Sequence, residues 1–252
     1  MPLVDFQTGL ARLVGAQQGS HPFAGLNLDA RESQYLESVQ TTPGLLFCKS
    51  IQRSWCIGRA AKAAHLTLSF LPENQRQQLL EEWIDSGAGN QSFYDAEAAS
   101  FLEFISSKLT NPSHEFSVCQ LEQATLRVGE GKDCFVSPDV AVLNDPDCRL
   151  SRGRYAGLVE FYAEPHRLLE ALQRHQPLPP LSSEVTAMFL GPGIEEFCYA
   201  PSANEVELWN TLELPQHVSV LLTQGHKLST LKRLLNDGII EHCNLLKNSS
   251  ES

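Results

Sequence analysis

The chain has 252 residues, 42% of them hydrophobic and 19% charged, enough for one large domain or two ordinary ones with a buried core. Its formal net charge of −11 excludes a general nucleic-acid binder, which must neutralise phosphates with Lys and Arg. No run of eighteen apolar residues occurs, so no membrane span is expected, and Met1-Pro2-Leu3-Val4-Asp5-Phe6 lacks the basic start and apolar stretch of a secretory signal.

The first half reads as helix. Phe6, Leu10 and Leu13 open it with helical spacing. Residues 29–40 form a polar helix with Tyr35, Leu36 and Val39 on one side, ending before Pro43-Gly44. Residues 51–70 continue as an Ala-rich helix up to Pro72. Residues 73–84 carry Leu79, Leu80, Trp83 and Ile84 as an apolar face, broken by Gly87-Ala88-Gly89. In 92–109, Ala98, Phe101, Leu102 and Ile105 fall at i, i+3, i+4 and i+7. Residues 115–128 form a last helix before Gly129-Glu130-Gly131, which sets the expected end of an all-helical domain at 131.

Residues 132–252 are expected to form a second domain of linker plus module. Residues 157–163 are apolar enough for a strand, 165–175 read as helix, and Gln176-Pro177-Leu178-Pro179-Pro180 is held extended by its prolines. Two extended segments, 186–190 and 195–200, flank Gly191-Pro192-Gly193, with 157–163 as a candidate first strand of the same sheet. Three helices follow over 202–213, 216–223 and 228–236. Ser202 and Glu205 have capping-box spacing, and Leu228, Leu231, Leu234 and Leu235 lie on one face. Asn236-Asp237-Gly238 stops the last helix, and 238–243 reads as a closing strand. The fold expected is therefore α+β: an N-terminal helical domain, then a winged-helix-like module of a small antiparallel sheet plus three helices. From 186 onward four Lys or Arg face eight Asp or Glu, which favours a peptide over DNA as the module's partner; a DNA-binding regulator is the alternative.

Catalytic patterns are missing from the sequence. Seven cysteines (48, 56, 119, 134, 148, 198 and 243) are odd in number, scattered and without a C-x-x-C pair. They read as reduced cytoplasmic thiols, mostly small core residues, rather than a zinc or disulfide framework. The eight histidines are isolated: His166 and His175 are too far apart for an i, i+4 metal pair, and His114-Glu115 lacks a second His. Neither a G-x-S-x-G elbow nor a G-x-x-x-x-G-K-[ST] loop occurs. No catalytic or metal-ligating residue is assigned, although a cysteine nucleophile with a distant histidine stays open.

Several short motifs carry a resemblance. They are Gly44-Leu45-Leu46, Gln52-Arg53-Ser54-Trp55-Cys56-Ile57-Gly58-Arg59, Phe93, Glu97-Ala98-Ala99-Ser100-Phe101-Leu102-Glu103-Phe104 and Leu121-Glu122-Gln123-Ala124. With these, most of the chain resembles the partner proteins of multinuclear iron-dependent oxidases in ribosomal peptide (RiPP) natural-product biosynthesis, as in the methanobactin and 3-thiaglutamate pathways, leaning towards the latter. The resemblance implies a subunit that is not an enzyme by itself and holds no metal or cofactor. It implies a heterodimer with an oxidase that carries the iron, and binding of a precursor peptide through its leader. It also implies that the oxidase modifies a peptide cysteine, in the 3-thiaglutamate case by excising the β-carbon of a C-terminal Cys.

The resemblance also implies where the leader lies, between the third strand and third helix of the module. A sheet edge offers unpaired N–H and C=O groups to which an extended peptide can add as a strand. Carried onto this chain, the peptide-binding residues are Glu195, Phe197, Tyr199, Leu228, Leu231 and Leu235, with Lys232 for an acidic leader residue. The competing reading is that the apolar ones simply fill the module's core. Arg53, Trp55 and Arg59 lie within two helical turns and are candidate contacts to the partner or to the peptide's C-terminus, since the Arg fork binds carboxylates through two bonds. Against that stand surface arginines paired with a nearby Glu, and Trp55 in the core.

Overall fold

The computed structural model describes residues 3–15, 22–87, 94–145, 147–196 and 198–243. Its first elements follow from capping and apolar spacing. α1 (Leu3–Gly15), α2 (Ala30–Val39) and α3 (Pro43–Ala63) contribute Leu13, Leu36 and Leu45 to one buried cluster, with Phe6, Phe23 and Val39 packed against it. Asp29 and Glu32 close a capping box on α2, each carboxylate accepting from the other residue's N–H at 2.8 and 2.9 Å. Pro43-Gly44, expected to separate two helices, instead opens α3. Thr42 Oγ1 accepts from the Leu45 N–H at 3.3 Å, and Pro43 occupies the first turn, where a missing N–H removes no helical bond. Then come α4 (His65–Ser69), α5 (Glu73–Asp85) and α6 (Tyr94–Ser106). The expected start of α6 at 92 lies outside the described residues. Trp83 and Phe101, fully buried and edge-on at 5.3 Å, join α5 to α6.

The chain divides into two compact units, Met1–Lys108 and Leu109–Ser252, so the division precedes the expected boundary at 131. The reason is α7 (His114–Lys132), which runs through Gly129-Glu130-Gly131 and packs against the second unit's strands. Gly131 is buried under Tyr155, whose ring would overlap a Cβ placed there. A glycine that reads as a helix break is thus where an aromatic ring packs directly on the helix backbone.

The second unit contains β1 (Arg149–Arg152), β2 (Gly157–Phe161), α8 (Pro165–Gln173), β3 (Thr186–Leu190), β4 (Cys198–Tyr199), α9 (Ala203–Thr211), β5 (Gln216–His217), α10 (Val218–Thr223), α11 (Leu228–Asn236) and β6 (Ile240–His242). Two antiparallel three-stranded sheets result, in the orders β5-β1-β6 and β2-β3-β4. The strand at 157 does pair with β3, Val159 opposite Met188. Three details differ from expectation. Glu195 and Glu196 lie in a turn ahead of β4 rather than in the strand expected over 195–200; Gln216 and His217 pair with β1 as a strand before α10 begins; and β1 itself was not expected.

One core serves both sheets and the three following helices. Phe189 of β3 lies 5.4 Å from Trp209 and 5.8 Å from Tyr199, ring centre to ring centre. Leu150, Leu208, Leu221, Leu231, Leu234, Leu235 and Ile239 are buried around it. Gly238 ends α11 with φ of 69°. Its N–H reaches Leu235 O at 3.2 Å, and the Ile239 N–H reaches Leu234 O at 2.9 Å, the paired bonds of a left-handed helix stop.

Candidate functional site

The residues proposed for the peptide separate by position. Leu231 and Leu235 are fully buried and belong to the core; Leu228 is half-buried against it. Their side chains hold α11 in place rather than line an open groove. Glu195 is exposed in the turn ahead of β4, Phe197 lies outside the described residues, and Lys232 is half-buried on α11. Tyr199 is the residue that faces both elements: it sits on β4, the terminal strand of its sheet, and its ring is covered by the Arg233 guanidinium of α11 at 4.9 Å.

Arg233, not among the residues proposed for the peptide, is what connects β4 to α11. Its guanidinium also pairs with Glu205, whose other carboxylate oxygen accepts from the Ser202 N–H and Oγ, each at 2.8 Å, capping α9. Glu205 is buried, and its Ser202 box was legible as a cap; its second partner, a distant helix residue, had no local signal. The Tyr199 hydroxyl is buried without a hydrogen-bond partner among the described residues. Burial pushes its pKa up to about 12. Burial also raises the Asp237 carboxyl, with Arg233 opposing the shift.

The three α3 residues also separate. Arg53 pairs with Asp85 at 2.5 Å, holding that carboxyl below its ordinary range. Arg59 pairs with the fully buried Glu97: Nη2 donates to Oε1 at 2.7 Å, and Nε lies 2.6 Å from Oε2 as an ion-pair contact. The buried Cys56 thiol lies 3.4 Å from the same carboxylate, and burial together with that contact raises its pKa. Both arginines are therefore engaged within the first unit. Trp55 is not in the core: it is 64% exposed, with Phe47 at 65% and Ile51 at 41% on the same side of α3.

A groove of about 470 Å³ in the second unit is lined by Phe135, Arg154, Tyr155, Pro192, Glu241 and His242. Arg154 Nε and Glu241 Oε2, both in its lining, pair at 3.3 Å. Among the described residues no group of three or more His, Cys, Asp or Glu is placed to hold a metal ion, and no helix is long and apolar enough to cross a membrane. The sequence matches no protein-family model and none of the curated proteins with which it was compared.

Proposed function

We propose that this chain is a partner subunit that binds an extended precursor peptide and presents it to a separate iron-dependent oxidase acting on a peptide cysteine, as in β-carbon excision of a C-terminal Cys. The observation that carries the reading is β4: a terminal strand beside α11, whose Tyr199 keeps an unpartnered buried hydroxyl. In a winged-helix-like module of this order, the third strand and third helix bracket a leader added as a further strand. Backbone groups of β4 give affinity, and Tyr199, Lys232 and the exposed Glu195 supply side-chain discrimination. On this reading Leu228, Leu231 and Leu235 act by fixing the helix wall, and Trp55 is the member of the Arg53, Trp55 and Arg59 set that is available to another protein.

The test is co-expression with a candidate oxidase and its precursor, followed by size exclusion and mass spectrometry of the peptide. Modification only when both proteins are present, and its loss with Tyr199→Ala, is the expected result. An oxidase that modifies the peptide unaided removes the reading, and salt-dependent retention of this chain on DNA would replace it with a regulator.

A further inference from the structure

The sheet β5-β1-β6 ends at β6, which has β1 on one side and, among the described residues, no strand on the other. Two bonds fix the phase of the β1–β6 pairing: the Cys243 N–H reaches Arg149 O at 2.9 Å, and the Gly153 N–H reaches Ile239 O at 2.8 Å. Residues 239, 241 and 243 therefore turn their backbone groups towards β1, and Ile240 and His242 turn theirs outward. Both residues also line the groove of about 470 Å³, a volume within the roughly 300–1,000 Å³ of ligand sites. Phe135 and Val136, in the same lining, belong to no helix or strand, and their N–H groups meet no acceptor among the described residues.

We propose that the β6 edge and this groove bind an extended peptide carrying an acidic residue between two apolar ones, added antiparallel as a fourth strand of the sheet. Unmet backbone groups in two parts of the lining call for a ligand that supplies alternating N–H and C=O groups; an extended chain has them and an apolar small molecule has none. Directly opposite residues of an antiparallel pair share a face. The peptide residues opposite Ile240 and His242 therefore lie on the side of the buried Leu235, Gly238 and Ile240, and are apolar. The Phe135 ring closes on that floor because residue 238 has no side chain: a Cβ there would lie 2.8 Å from Phe135 Cε2. The peptide residue between the two apolar ones points to the other face, as Glu241 does. There Arg154 gives its Nε to Glu241 at 3.3 Å while its side chain stays 71% exposed, which leaves the far end of the guanidinium fork at the surface for a carboxylate.

A second copy of this chain fits the edge less well. Pairing β6 with another β6 about its centre sets Glu241 directly against the second copy's Glu241, and like charges in directly opposite positions destabilise a sheet. A separate peptide with its own carboxylate opposite Arg154 avoids that clash. The edge is short: Ile240 and His242 together offer two N–H and two C=O groups, so binding is weak and depends on the side chains seated in the groove. β6 and β4 belong to different sheets, so this site stands whether or not the leader lies at β4.

The experiment tethers a probe inside the groove and reads hydrogen exchange at single amides of the full chain. Cys134 is an exposed thiol of the lining, and a mixed disulfide there raises the local peptide concentration to about 1 mM or above, which compensates for weak binding. Cys48→Ser removes the other exposed thiol. The probe is Cys-Gly-Gly-Val-Glu-Val-amide, compared with a Cys-Gly-Gly-amide tether. Exchange at the Ile240 and His242 amides is expected to slow about tenfold or more, while Glu241, whose amide already faces β1, stays unchanged. N-methylation of both valines, replacement of the probe's Glu by Lys, and Arg154→Gln in the protein are each expected to remove the slowing, the last without a change in melting temperature because Arg154 is a surface side chain. Exchange that does not slow overturns the inference, as does slowing that survives N-methylation or is equal with the Lys probe. Slowing that appears without the tether as protein concentration rises assigns the edge to a second copy and overturns it. Slowing at Cys198 and Tyr199 in place of Ile240 and His242 moves strand addition to β4, which overturns this site and leaves the leader reading standing.

Discussion

α11 and α3 both carry an apolar face at helical spacing, and the two faces meet different fates. In α11 the leucines at 231, 234 and 235 are enclosed by Phe189, Leu208, Leu221 and Ile239, in a core shared by two sheets. In α3 the inner face is covered by its own unit while Phe47, Ile51 and Trp55 remain outside. Periodicity reports that a helix has an apolar side; whether the covering surface belongs to the same chain is decided by tertiary packing. The apolar residues of α11 therefore act on stability, whereas Phe47, Ile51 and Trp55 of α3 do not contribute to the core of their unit.

The sharpest break would come at the buried end. Leu231→Ala is expected to lower unfolding free energy by about 4 kcal/mol, through lost transfer energy plus a cavity, measured by urea denaturation. A loss below about 1 kcal/mol would mean that α11 is not enclosed as described. Next, Arg59→Ala strands the Glu97 carboxylate in the first unit's interior and is expected to cost about 3 kcal/mol, more than removing a surface ion pair such as Arg53–Asp85. A double-mutant cycle on Arg59 and Glu97 measures the coupling directly.

Smaller and of opposite sign is Gly58→Ala. Its Cβ meets open space in the isolated chain and helix propensity improves, so thermal unfolding is expected to show a gain of about 0.8 kcal/mol. A loss of stability instead would mean that Gly58 does not face open space as described.

The smallest effect at neutral pH is expected from Tyr199→Phe, which removes a buried hydroxyl that has no partner and should be neutral or slightly stabilising. It differs from the parent only in alkali. Because the folded pKa is raised from 10.0 to about 12, the neutral phenol's contribution is complete below pH 10 and is lost as pH rises towards 12. The parent should therefore lose stability across that window in pH-dependent melting, and the Phe variant should lose less. Equal alkaline slopes would place the Tyr199 hydroxyl in water.

The same contrast shows what could be read from sequence. Capping was legible: Ser202 with Glu205, and Gly238 as a helix stop, depend on neighbours within a few residues. Thr42-Pro43 carried the signal for the start of α3, a capping hydroxyl followed by a first-turn proline, yet Pro43-Gly44 also has the composition of a break. β1 and β5 were not legible, because Arg149–Arg152 buries essentially one apolar side chain, Leu150, and its partner strands lie far along the chain. At the candidate site Tyr199 came from the placement on the module's third strand that the resemblance implies. Arg233 was passed over for Lys232, since nothing local distinguishes which of two adjacent basic residues faces a strand.

The interlock of α7 with the strands also decides where the chain can be cut. Gly131 admits Tyr155, and Gly157 of β2 comes so close to Ala124 that a Cβ there would approach it to 2.8 Å. By strand alternation Val159 and Phe161, both buried, lie on the same face as Gly157. A fragment beginning at Leu109 takes its scaffold helix with it, whereas one beginning at 132 exposes that face to solvent and to other copies. Limited proteolysis near Lys108 should therefore release a C-terminal piece that stays folded, and the inheritable unit behind the strand-and-helix module is longer by one whole helix than its motif suggests.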